Sequence, residues 1–360
     1  MPNWEAGGVE PVGLGVKKGG KRILMESHYL RYVVAGRLQR DFILPLEGRP
    51  CLDVPGGGAI YAAVGILIWD RAVGLISRVG EDYPQEWLEG FASYGLDTRG
   101  IRILPQAVDL RRVICHLEGA EEAGNPLAWF AQLGIPVPKA LLGYVPPHRS
   151  LNHPAHPTPL TLRLNDIPAD YLEATAAHLA PMDYLSHALL PSALRKGNIT
   201  TITLDPGSEY MHPAMWEQIP PLVRGVTAFI VAEEDLRHLF QGRSTDIWEM
   251  AEAIASWGCE FVIIKRGEAG QYLFEKSGRK RWVIPAYPAR VADPTGAGDA
   301  FGGGFLAGYR QTYDPLEATL CGNISASLVV EGSGPFYALD ALPGLAQARL
   351  EVLRDSVSVL

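Results

Sequence analysis

The stretch Asp293-Pro-Thr-Gly-Ala-Gly-Asp-Ala-Phe-Gly-Gly-Gly-Phe-Leu306 joins a turn of small residues, one carboxylate and the start of an apolar helix. Gly296, Ala297 and Gly298 carry no bulky side chain that would keep an anion from the backbone, so their N–H groups can point at one phosphate. These donors also lie at the positive end of the helix dipole. Asp299 follows in the first helical turn, where the dipole favours its ionised form and a substrate hydroxyl could reach it. The stretch therefore predicts a phosphate site with a base beside it.

The same residues resemble the C-terminal signature of the ribokinase-like (pfkB) family of carbohydrate and nucleoside kinases, which they fit at every constrained position. The looser resemblance runs from about Tyr32 to Leu342. It implies that Asp299 is the catalytic base and that the amides of Gly296 to Asp299 form an anion hole over the γ-phosphate of ATP. The purely structural alternative is a glycine-rich helix cap with an N-terminal aspartate.

Short apolar runs alternate with helical patterns along most of the chain. This alternation predicts an α/β fold, a doubly wound and mostly parallel sheet with helices on both faces and ligands at the carboxyl ends of its strands. The predicted strands are Tyr32 to Ala35, Asp41 to Leu46, Ala72 to Ser77, Thr200 to Leu204, Ala228 to Val231 and Phe261 to Ile264. The predicted helices are Gly58 to Trp69, Gln85 to Tyr94, Ala169 to His178, Glu233 to Phe240 and Thr245 to Trp257.

Two stretches, Asp41 to Leu52 and Asp109 to Phe130, depart from this alternation and are predicted to be rich in β-structure. In the resembled family such segments form a small β lid over the sugar site. A lid excludes water, which strengthens the electrostatic interactions of the site and limits wasteful ATP hydrolysis. Exposed lid strands could also pair between subunits, so a homodimer through the lid is one expectation.

The chain divides into three parts. We expect residues 1–30 to form a flexible leader, residues 31–345 the kinase domain, and residues 346–360 a C-terminal helix or tail. The basic stretch Gly13 to Lys21 in the leader has the composition of a phosphate loop, but no strand precedes it and no apolar helix follows it. It is therefore predicted to be part of a flexible basic tail.

Residues 134–159 contain repeated prolines, which block both sheet and helix and predict a long loop. His148, His153 and His156 lie within it. They could bind a metal ion, although no carboxylate or thiolate accompanies them locally, or they could belong to a solvated insertion.

Composition excludes several classes of protein. The formal net charge of −8 argues against a general nucleic-acid binder, which would present a basic face. No stretch approaches the ~20 apolar residues of a membrane span, and the leader lacks an apolar signal core, so we expect a soluble cytoplasmic protein. The cysteines have no metal-ligand spacing and are expected to be small buried hydrophobic residues; they are Cys51, Cys115, Cys259 and Cys321.

The N-terminal signature of the family is recognisable in Gly56-Gly-Gly-Ala-Ile-Tyr-Ala-Ala63, but it is altered. Gly57 and Gly58 would allow the backbone to approach a substrate closely and would provide a hinge for the lid. Tyr61 stands where the family usually has an asparagine that touches the sugar. A helix N-terminus that needs small residues for packing is the alternative interpretation.

The run Gly36-Arg-Leu-Gln-Arg-Asp41 resembles the opening strand and turn of the family, in which the final aspartate binds sugar hydroxyls. Asp41 can accept two such hydrogen bonds, which are stronger because the acceptor is charged. Arg37 occupies a position that is often acidic in relatives. It could recognise an anionic or larger substrate, or it could point outward, and the sequence leaves both interpretations open.

The nucleotide side is matched by Lys265-Arg-Gly-Glu-Ala-Gly270, which resembles the strand-end turn beside the ATP phosphates. The resemblance assigns Lys265, Gly267 and Gly270 to the nucleotide, together with Thr295 just before the anion hole. A tight turn before the next strand is the alternative for the two glycines. Asn323 corresponds to a residue near the adenine, and an ordinary polar helix position is its alternative.

The magnesium motif of the family, Asn-x-x-Glu, reads Ala232-Glu-Glu-Asp235 in this chain. Asp235 replaces the charge of the glutamate and Glu234 is a second candidate ligand, or these acids simply enrich a helix N-terminus. Mg²⁺ should still be required because it bridges the ATP phosphates whatever the protein supplies. Activation by potassium is a further expectation, with Asp293 as a ligand and carbonyl groups from Gly332 to Gly334 near it.

The resemblance implies ATP-dependent phosphorylation of a hydroxyl on a sugar or sugar-like molecule. A nucleoside kinase is an alternative, because Tyr61, Trp129 and Phe130 could stack on a base, although aromatic residues there could equally pack a core or lid. A nucleotide-binding regulator with weak catalysis is an interpretation of a different class, motivated by Tyr61 and Ala232 and opposed by the intact Asp299. Phosphoryl transfer depends mainly on positioning and charge stabilisation, so we expect a working kinase.

Overall fold

The structure is a computed structural model that describes residues 29–116, 127–146 and 156–359. Within these ranges, the strands form one ten-stranded sheet and one three-stranded sheet. The basic stretch Gly13 to Lys21 and the histidines His148 and His153 lie outside the described residues. The strands in chain order are β1 Tyr32–Ala35, β2 Gln39–Leu44, β3 Cys51–Gly56, β4 Val73–Val79, β5 Leu96–Ile103, β6 Arg111–Cys115, β7 Ala176–Leu179, β8 Thr201–Leu204, β9 Ala228–Ala232, β10 Phe261–Lys265, β11 Gln271–Glu275, β12 Lys280–Ile284 and β13 Ser358–Val359.

Helices connect most of these strands. They are α1 Gly58–Leu67, α2 Gln85–Ser93, α3 Ala128–Gln132, α4 Tyr184–Leu194, α5 Ile219–Val223, α6 Glu233–Leu239, α7 Ile247–Ser256, α8 Ala297–Thr312, α9 Pro315–Val329 and α10 Leu345–Arg354. In the part of the chain that the structure describes, none of them is long and apolar enough to cross a membrane.

The large sheet has the order β13-β12-β11-β10-β9-β8-β7-β1-β4-β5. The strands from β10 to β5 in this order run parallel, whereas β10, β11, β12 and β13 pair antiparallel. Successive residues of a strand face opposite sides, so Tyr32 and Val34 of β1 enter one hydrophobic core while Val33 and Ala35 enter the other. Helices α1, α2, α8, α9 and α10 cover the first core and α4 to α7 the second. The predicted doubly wound sheet is confirmed.

Helix α8 is buried from Ala300 to Tyr309 and crosses α1 at very short range. A β-carbon on Gly303 would lie 1.8 Å from the carbonyl oxygen of Ala62 in α1. Reciprocally, a β-carbon on Gly65 would lie 2.1 Å from the carbonyl oxygen of Ala300. Only glycine therefore fits on either side of this crossing, which places the N-termini of the two helices next to each other.

The small sheet has the order β3-β2-β6, with β2 antiparallel to β3 and parallel to β6. It has a hydrophobic cluster of its own, formed by Phe42, Leu44, Phe130, Leu141 and Tyr144. Residues 127–146, which include part of the proline-rich segment, thus pack on this sheet. Phe130 lies in α3 and not in a strand, so the β-structure predicted for Asp109 to Phe130 is found only in β6; residues 117–126 are outside the described residues.

One predicted helix is wrong. Ala169 to His178 contains a short 3₁₀ turn, Ala169–Glu173, followed by the central strand β7. The alanine-rich run has a high helix propensity, but it is buried on both faces between β1 and β8. Such a run cannot be assigned from periodicity alone, and its tertiary setting decided its conformation.

Helix α10 and strand β13 pack against the rest of the described fold. Leu350 and Leu353 of α10 are buried in the core shared with α9, and β13 pairs with β12 at the edge of the large sheet. Cys259 and Cys321 are buried as predicted, whereas Cys51 and Cys115 are half-buried.

Candidate active site

The candidate site lies at the carboxyl ends of the parallel strands, where the N-termini of α1 and α8 meet. A β-carbon on Gly58, the first residue of α1, would lie 3.0 Å from Asp299 Oδ1 in the first turn of α8. A β-carbon on Gly298 would lie 3.2 Å from the Nζ atom of Lys265, the last residue of β10. The fold therefore brings together four residues that the sequence assigned to three separate motifs.

The turn before α8 has the geometry of an anion-binding turn. Gly296 caps the helix in the left-handed conformation, with a φ of 76°. The N–H of Ala297 donates to the carbonyl of Pro294 at 3.2 Å. This amide is therefore used within the turn, whereas the sequence predicted that it would point at the phosphate. In the described ranges, no bonded acceptor is found for the N–H groups of Gly298 and Asp299. These two first-turn amides are the ones available to an anion.

Asp299 is partly exposed at this edge of the sheet. Burial by the surrounding atoms raises the pKa of its carboxyl, and the nearby charges of Lys265 and Arg112 oppose this rise. The sequence predicted that the helix dipole would favour the ionised form, whereas burial acts in the opposite direction and raises the pKa. A carboxylate with a raised pKa is a better proton acceptor.

Lys265 forms a buried ion pair with Asp205, which directly follows β8. The pKa of Asp205 is raised to about 7, because burial raises it more than the positive charge of Lys265 lowers it. Sequence reasoning missed Asp205, although an acid placed directly after a buried strand was a signal that could have found it. The ion pair lies beside the N-terminus of α8. Ala232, at the end of the intervening strand β9, is opposite Lys265 in the register of β9 and β10.

Asp41 lies in β2 and is almost completely buried, with 1% of its surface exposed. A β-carbon on Gly56 would lie 1.9 Å from its Oδ2 atom, and the N–H of Gly57 donates to the carboxylate. Its Oδ1 atom has no hydrogen-bond partner among the described residues. Burial raises the pKa of Asp41 to about 7, with Arg112 and the Gly57 amide opposing the rise. An unpartnered buried carboxylate oxygen indicates a position for a ligand donor.

The ring of Tyr61 lies against Gly296 and belongs to the hydrophobic core. Its hydroxyl is buried without a hydrogen-bond partner in the part of the chain described, and burial raises its pKa. Phe130 is buried in the cluster of the small sheet. The faces of these two rings are therefore packed within the protein, and only the Tyr61 hydroxyl remains as a polar group for a ligand.

Arg37 does not reach the carboxylates of the site. Its Nη2 atom donates to Glu209 Oε1 at 2.8 Å, and its side chain is 39% exposed. A β-carbon on Gly57, which has a φ of 92°, would lie 2.5 Å from the carbonyl oxygen of Arg37. The glycine thus permits the close approach of the first turn of α1 to the end of β1.

The predicted nucleotide residues fall into two groups. Gly267 and Gly270 have φ angles of 56° and 85° and shape the turn between β10 and β11. The carboxamide of Asn323 donates to Gln271 Oε1 and to the Pro285 carbonyl, and it accepts the N–H of Tyr287. Both donors of Asn323 are thus used within the protein, so the residue organises the loop after β12.

Three of the acidic side chains near β9 have distinct surroundings. Glu233 binds Arg237 and Arg266, whereas Glu234 is exposed. Asp235 accepts a hydrogen bond from Ser208 at 2.9 Å, and burial raises its pKa. Asp235 is therefore the more enclosed of the two candidate metal ligands that the sequence singled out.

Asp293 is buried, with 1% of its surface exposed. Its Oδ1 atom accepts the N–H of Thr295 at 2.9 Å, and its backbone N–H donates to Val330, just after α9. Its Oδ2 atom has no hydrogen-bond partner within the described ranges. His116, which the sequence did not single out, lies against this turn through Thr295. No local pattern could have identified a lone histidine at the end of a strand.

Comparison with known proteins identifies a matching family and similar proteins. Residues 168–341 match the family model described as pfkB family carbohydrate kinase. A cytidine kinase of Thermococcus kodakarensis is 30% identical over 288 residues, which are 80% of this chain and 91% of the relative. A 5-dehydro-2-deoxygluconokinase of Geobacillus kaustophilus is 24% identical over 341 residues, with coverages of 88% and 92%.

Solved structures show the same fold. One from Escherichia coli, named as a ribokinase II and containing ATP and Mg²⁺, superposes with a TM-score of 0.63 at 17% identity. The match covers 91% of this chain and 99% of that one. The large, mostly parallel sheet with helices on both faces and the separate small sheet are thus a ribokinase-like fold.

Proposed function

The chain belongs to the pfkB family of carbohydrate kinases and is a phosphotransferase that acts on a sugar or nucleoside hydroxyl, and we propose that it transfers the γ-phosphate of ATP with Asp299 as the general base. The observation that carries this proposal is the position of Asp299. Its carboxylate lies in the first turn of α8, beside unbonded amides, Lys265 and the start of α1.

The chemistry is a single displacement. ATP, when bound, supplies the phosphoryl group, the acceptor oxygen forms the new bond to phosphorus, and the bond to the β-phosphate oxygen breaks. Asp299 takes the proton of the acceptor hydroxyl. The amides of Gly298 and Asp299 stabilise charge on the transferred group, together with the backbone of Gly296 and Ala297 that shapes their turn.

Lys265 adds a positive charge beside those amides. Its ammonium group is held by Asp205 and lies close to Gly298. Gly267, Gly270, Thr295 and Asn323 act through the backbone that they shape around the nucleotide. Ala232, which is opposite Lys265 on the neighbouring strand, has no polar side chain. Lys265 is therefore the residue of this pair that can supply charge to the phosphates.

Asp235 and Asp205 would hold Mg²⁺ in this proposal, and the bound ion would neutralise phosphate charge. Carboxylate oxygens are its preferred protein ligands, and both side chains lie at adjacent strand ends. A monovalent cation such as K⁺ would be held by Asp293, whose Oδ2 atom is buried without a partner among the described residues.

The acceptor is bound on the other side of Asp299. Asp41 accepts its hydroxyl hydrogen bonds, the Tyr61 hydroxyl contributes a second polar contact, and Gly57 and Gly58 allow a close approach. The small sheet covers this position as a lid. A second chain could pair with the edges of that sheet to form a homodimer.

A nucleoside is the second candidate beside a sugar. The relative with 30% identity over 91% of its own length is named cytidine kinase, whereas other relatives bear the name of a sugar-acid kinase. In a nucleoside, the ribose hydroxyls would meet Asp41 as sugar hydroxyls do. The base would need a contact other than the packed faces of Tyr61 and Phe130.

The test is ADP formation from Mg-ATP across a panel of pyrimidine and purine nucleosides, neutral sugars and sugar acids, with each product identified by mass. We expect acceptor-dependent ADP formation for one class and a phosphorylated product. ATP binding without phosphorylation of any member of the panel would contradict the proposal.

A further inference from the structure

His116 lies at the end of β6 in the small sheet, yet its side chain contacts the turn before α8. Its Nε2 atom is 2.8 Å from Thr295 Oγ1 and 3.4 Å from Asp293 Oδ1. Its backbone N–H donates to the carbonyl of Leu44 in β2, so the residue is anchored in the small sheet. The histidine therefore joins the small sheet to the turn before α8 through a half-buried polar contact.

This contact belongs to a cluster of three polar residues, His116, Thr295 and Asp293. The N–H of Thr295 donates to Asp293 Oδ1, and His116 lies within reach of both side chains. Thr295 directly precedes the left-handed Gly296 that turns the chain into α8. A shift of the Thr295 side chain would consequently move the turn that presents the amides of Gly298 and Asp299.

The small sheet touches the same segment at a second point. The N–H of Glu47, between β2 and β3, donates to the carbonyl of Ala292, and its carboxylate pairs with Arg290. That ion pair is largely exposed, so it contributes little. The His116 contact is better shielded, since 23% of the histidine side chain and 1% of the Asp293 side chain are exposed.

The contact of His116 with Thr295 can form with the imidazole neutral or protonated. Burial lowers the pKa of His116, Asp293 raises it and Arg112 lowers it. A neutral imidazole still bonds through Nε2 to the Thr295 hydroxyl. Protonation at lower pH would place a positive charge beside Asp293, which is attractive, and would not break the contact.

We propose that His116 is a positioning residue that couples the seating of the small sheet over the acceptor to the shape of the anion-binding turn. The proposal rests on the proposed kinase function. It assigns the small sheet a second task besides covering the acceptor, because His116 fixes the turn only while the sheet is in place. Phosphoryl transfer should then depend on His116 more strongly than ATP binding does.

The experiment compares His116→Ala and His116→Gln, with Gln132→Ala, at an exposed position of α3 beside the same small sheet, as a control. For each protein we would measure kcat, the KM for ATP, the ratio of ADP formed to acceptor phosphorylated, and Tm. His116→Ala should lower kcat roughly tenfold and raise the ratio, because one positioning hydrogen bond is lost and water reaches the site. The KM for ATP should change less than threefold, His116→Gln should recover most of kcat, and the control should match the parent.

A second measurement does not depend on an acceptor. The free energy of unfolding is measured for His116→Ala, Thr295→Val and the double variant, which together with the parent form a double-mutant cycle. The two losses in stability should not add if the side chains interact. Additive losses, or an unchanged kcat and ratio in His116→Ala, would overturn the inference. A parent protein that phosphorylates nothing, combined with a non-additive cycle, would instead overturn the proposed function and leave the contact established.

Discussion

The ring of Tyr61 lies directly against Gly296, so that a β-carbon on Gly296 would come within 2.1 Å of Tyr61 Cδ1. Gly296 also has a φ of 76°, which disfavours any residue with a side chain. The anion-binding turn therefore rests on an aromatic ring from the first helix. This relationship gives Tyr61 a structural task that a smaller polar side chain could not fulfil.

The variant Gly296→Ala should lose about 2–4 kcal/mol of stability, because it combines a left-handed strain with a clash against Tyr61. Gly298→Ala is the matched control. Its new methyl group would meet only the flexible end of Lys265, so stability should change by no more than about 0.5 kcal/mol. Denaturant unfolding of both proteins checks this prediction, and equal losses would contradict it.

The variant Asp299→Asn should lower kcat by about 10²- to 10⁴-fold if Asp299 is the base. ATP binding should persist, since the amide keeps the shape of the side chain. Steady-state kinetics with an identified acceptor, beside an equilibrium titration with ATP, would measure both. Asp340→Asn, at an exposed position, is the control, and near-normal turnover of Asp299→Asn would remove Asp299 from the role of base.

Acceptor use should depend on the ionisation of Asp41. The pKa of its carboxyl is raised to about 7, so the group is ionised above that pH and protonated below it. The protonated group loses acceptor capacity for substrate hydroxyls. We expect kcat/KM for the acceptor to fall up to about tenfold per unit as the pH drops below 7. In Asp41→Asn this dependence should weaken at a lower absolute value, and a profile identical to that of the parent would exclude the role.

The raised pKa of Asp41 also predicts how the stability of the protein depends on pH. Between about pH 4 and 7 the folded protein holds a proton on Asp41 that the unfolded chain, with a pKa of 3.8, has released. The free energy of unfolding therefore falls as the pH rises through this window. Asp41→Asn has no such charge to bury, so its Tm relative to the parent should increase from pH 5 to pH 7. A constant difference in Tm would contradict the shift.

Magnesium dependence should separate the acidic residues near β9. Asp235→Asn should raise the half-saturating Mg²⁺ concentration about tenfold or more, because a carboxylate ligand is lost. Asp205→Asn should raise it as well, and should also release Lys265 from its partner. Glu234→Gln, at an exposed position, should have no effect. Equal effects of Glu234→Gln and Asp235→Asn would indicate that Mg²⁺ responds to the overall negative charge of this region and not to a defined binding site.

Potassium should activate the enzyme if Asp293 holds a monovalent cation. Replacing K⁺ with tetramethylammonium at constant ionic strength should lower kcat, because the bulky cation cannot enter the buried position of Asp293. Asp293→Asn should abolish the difference between the two salts. An unchanged rate in the parent protein after the exchange would reject the site.

Predictions from contiguous residues were the most successful. The turn at Gly296, the first helical turn with Asp299 and the strand that ends at Lys265 each depend on neighbours within a few positions, and β1 was predicted at its observed bounds. The helix predicted for Ala169 to His178 failed because the run is rich in alanine. There, burial on both faces outweighed local propensity.

Periodicity and local geometry in the sequence predicted the doubly wound sheet and the turn and helix of the Asp293 to Leu306 segment, because both depend on residues that are close together in the chain. The set of distant side chains that meet at this segment depends on the tertiary structure. Asp205 and Lys265 are 60 residues apart, and His116 and Thr295 are 179 apart. Parallel strands gather their carboxyl ends at one edge whatever their separation in the chain, so the partners of the site are set by strand order and not by spacing.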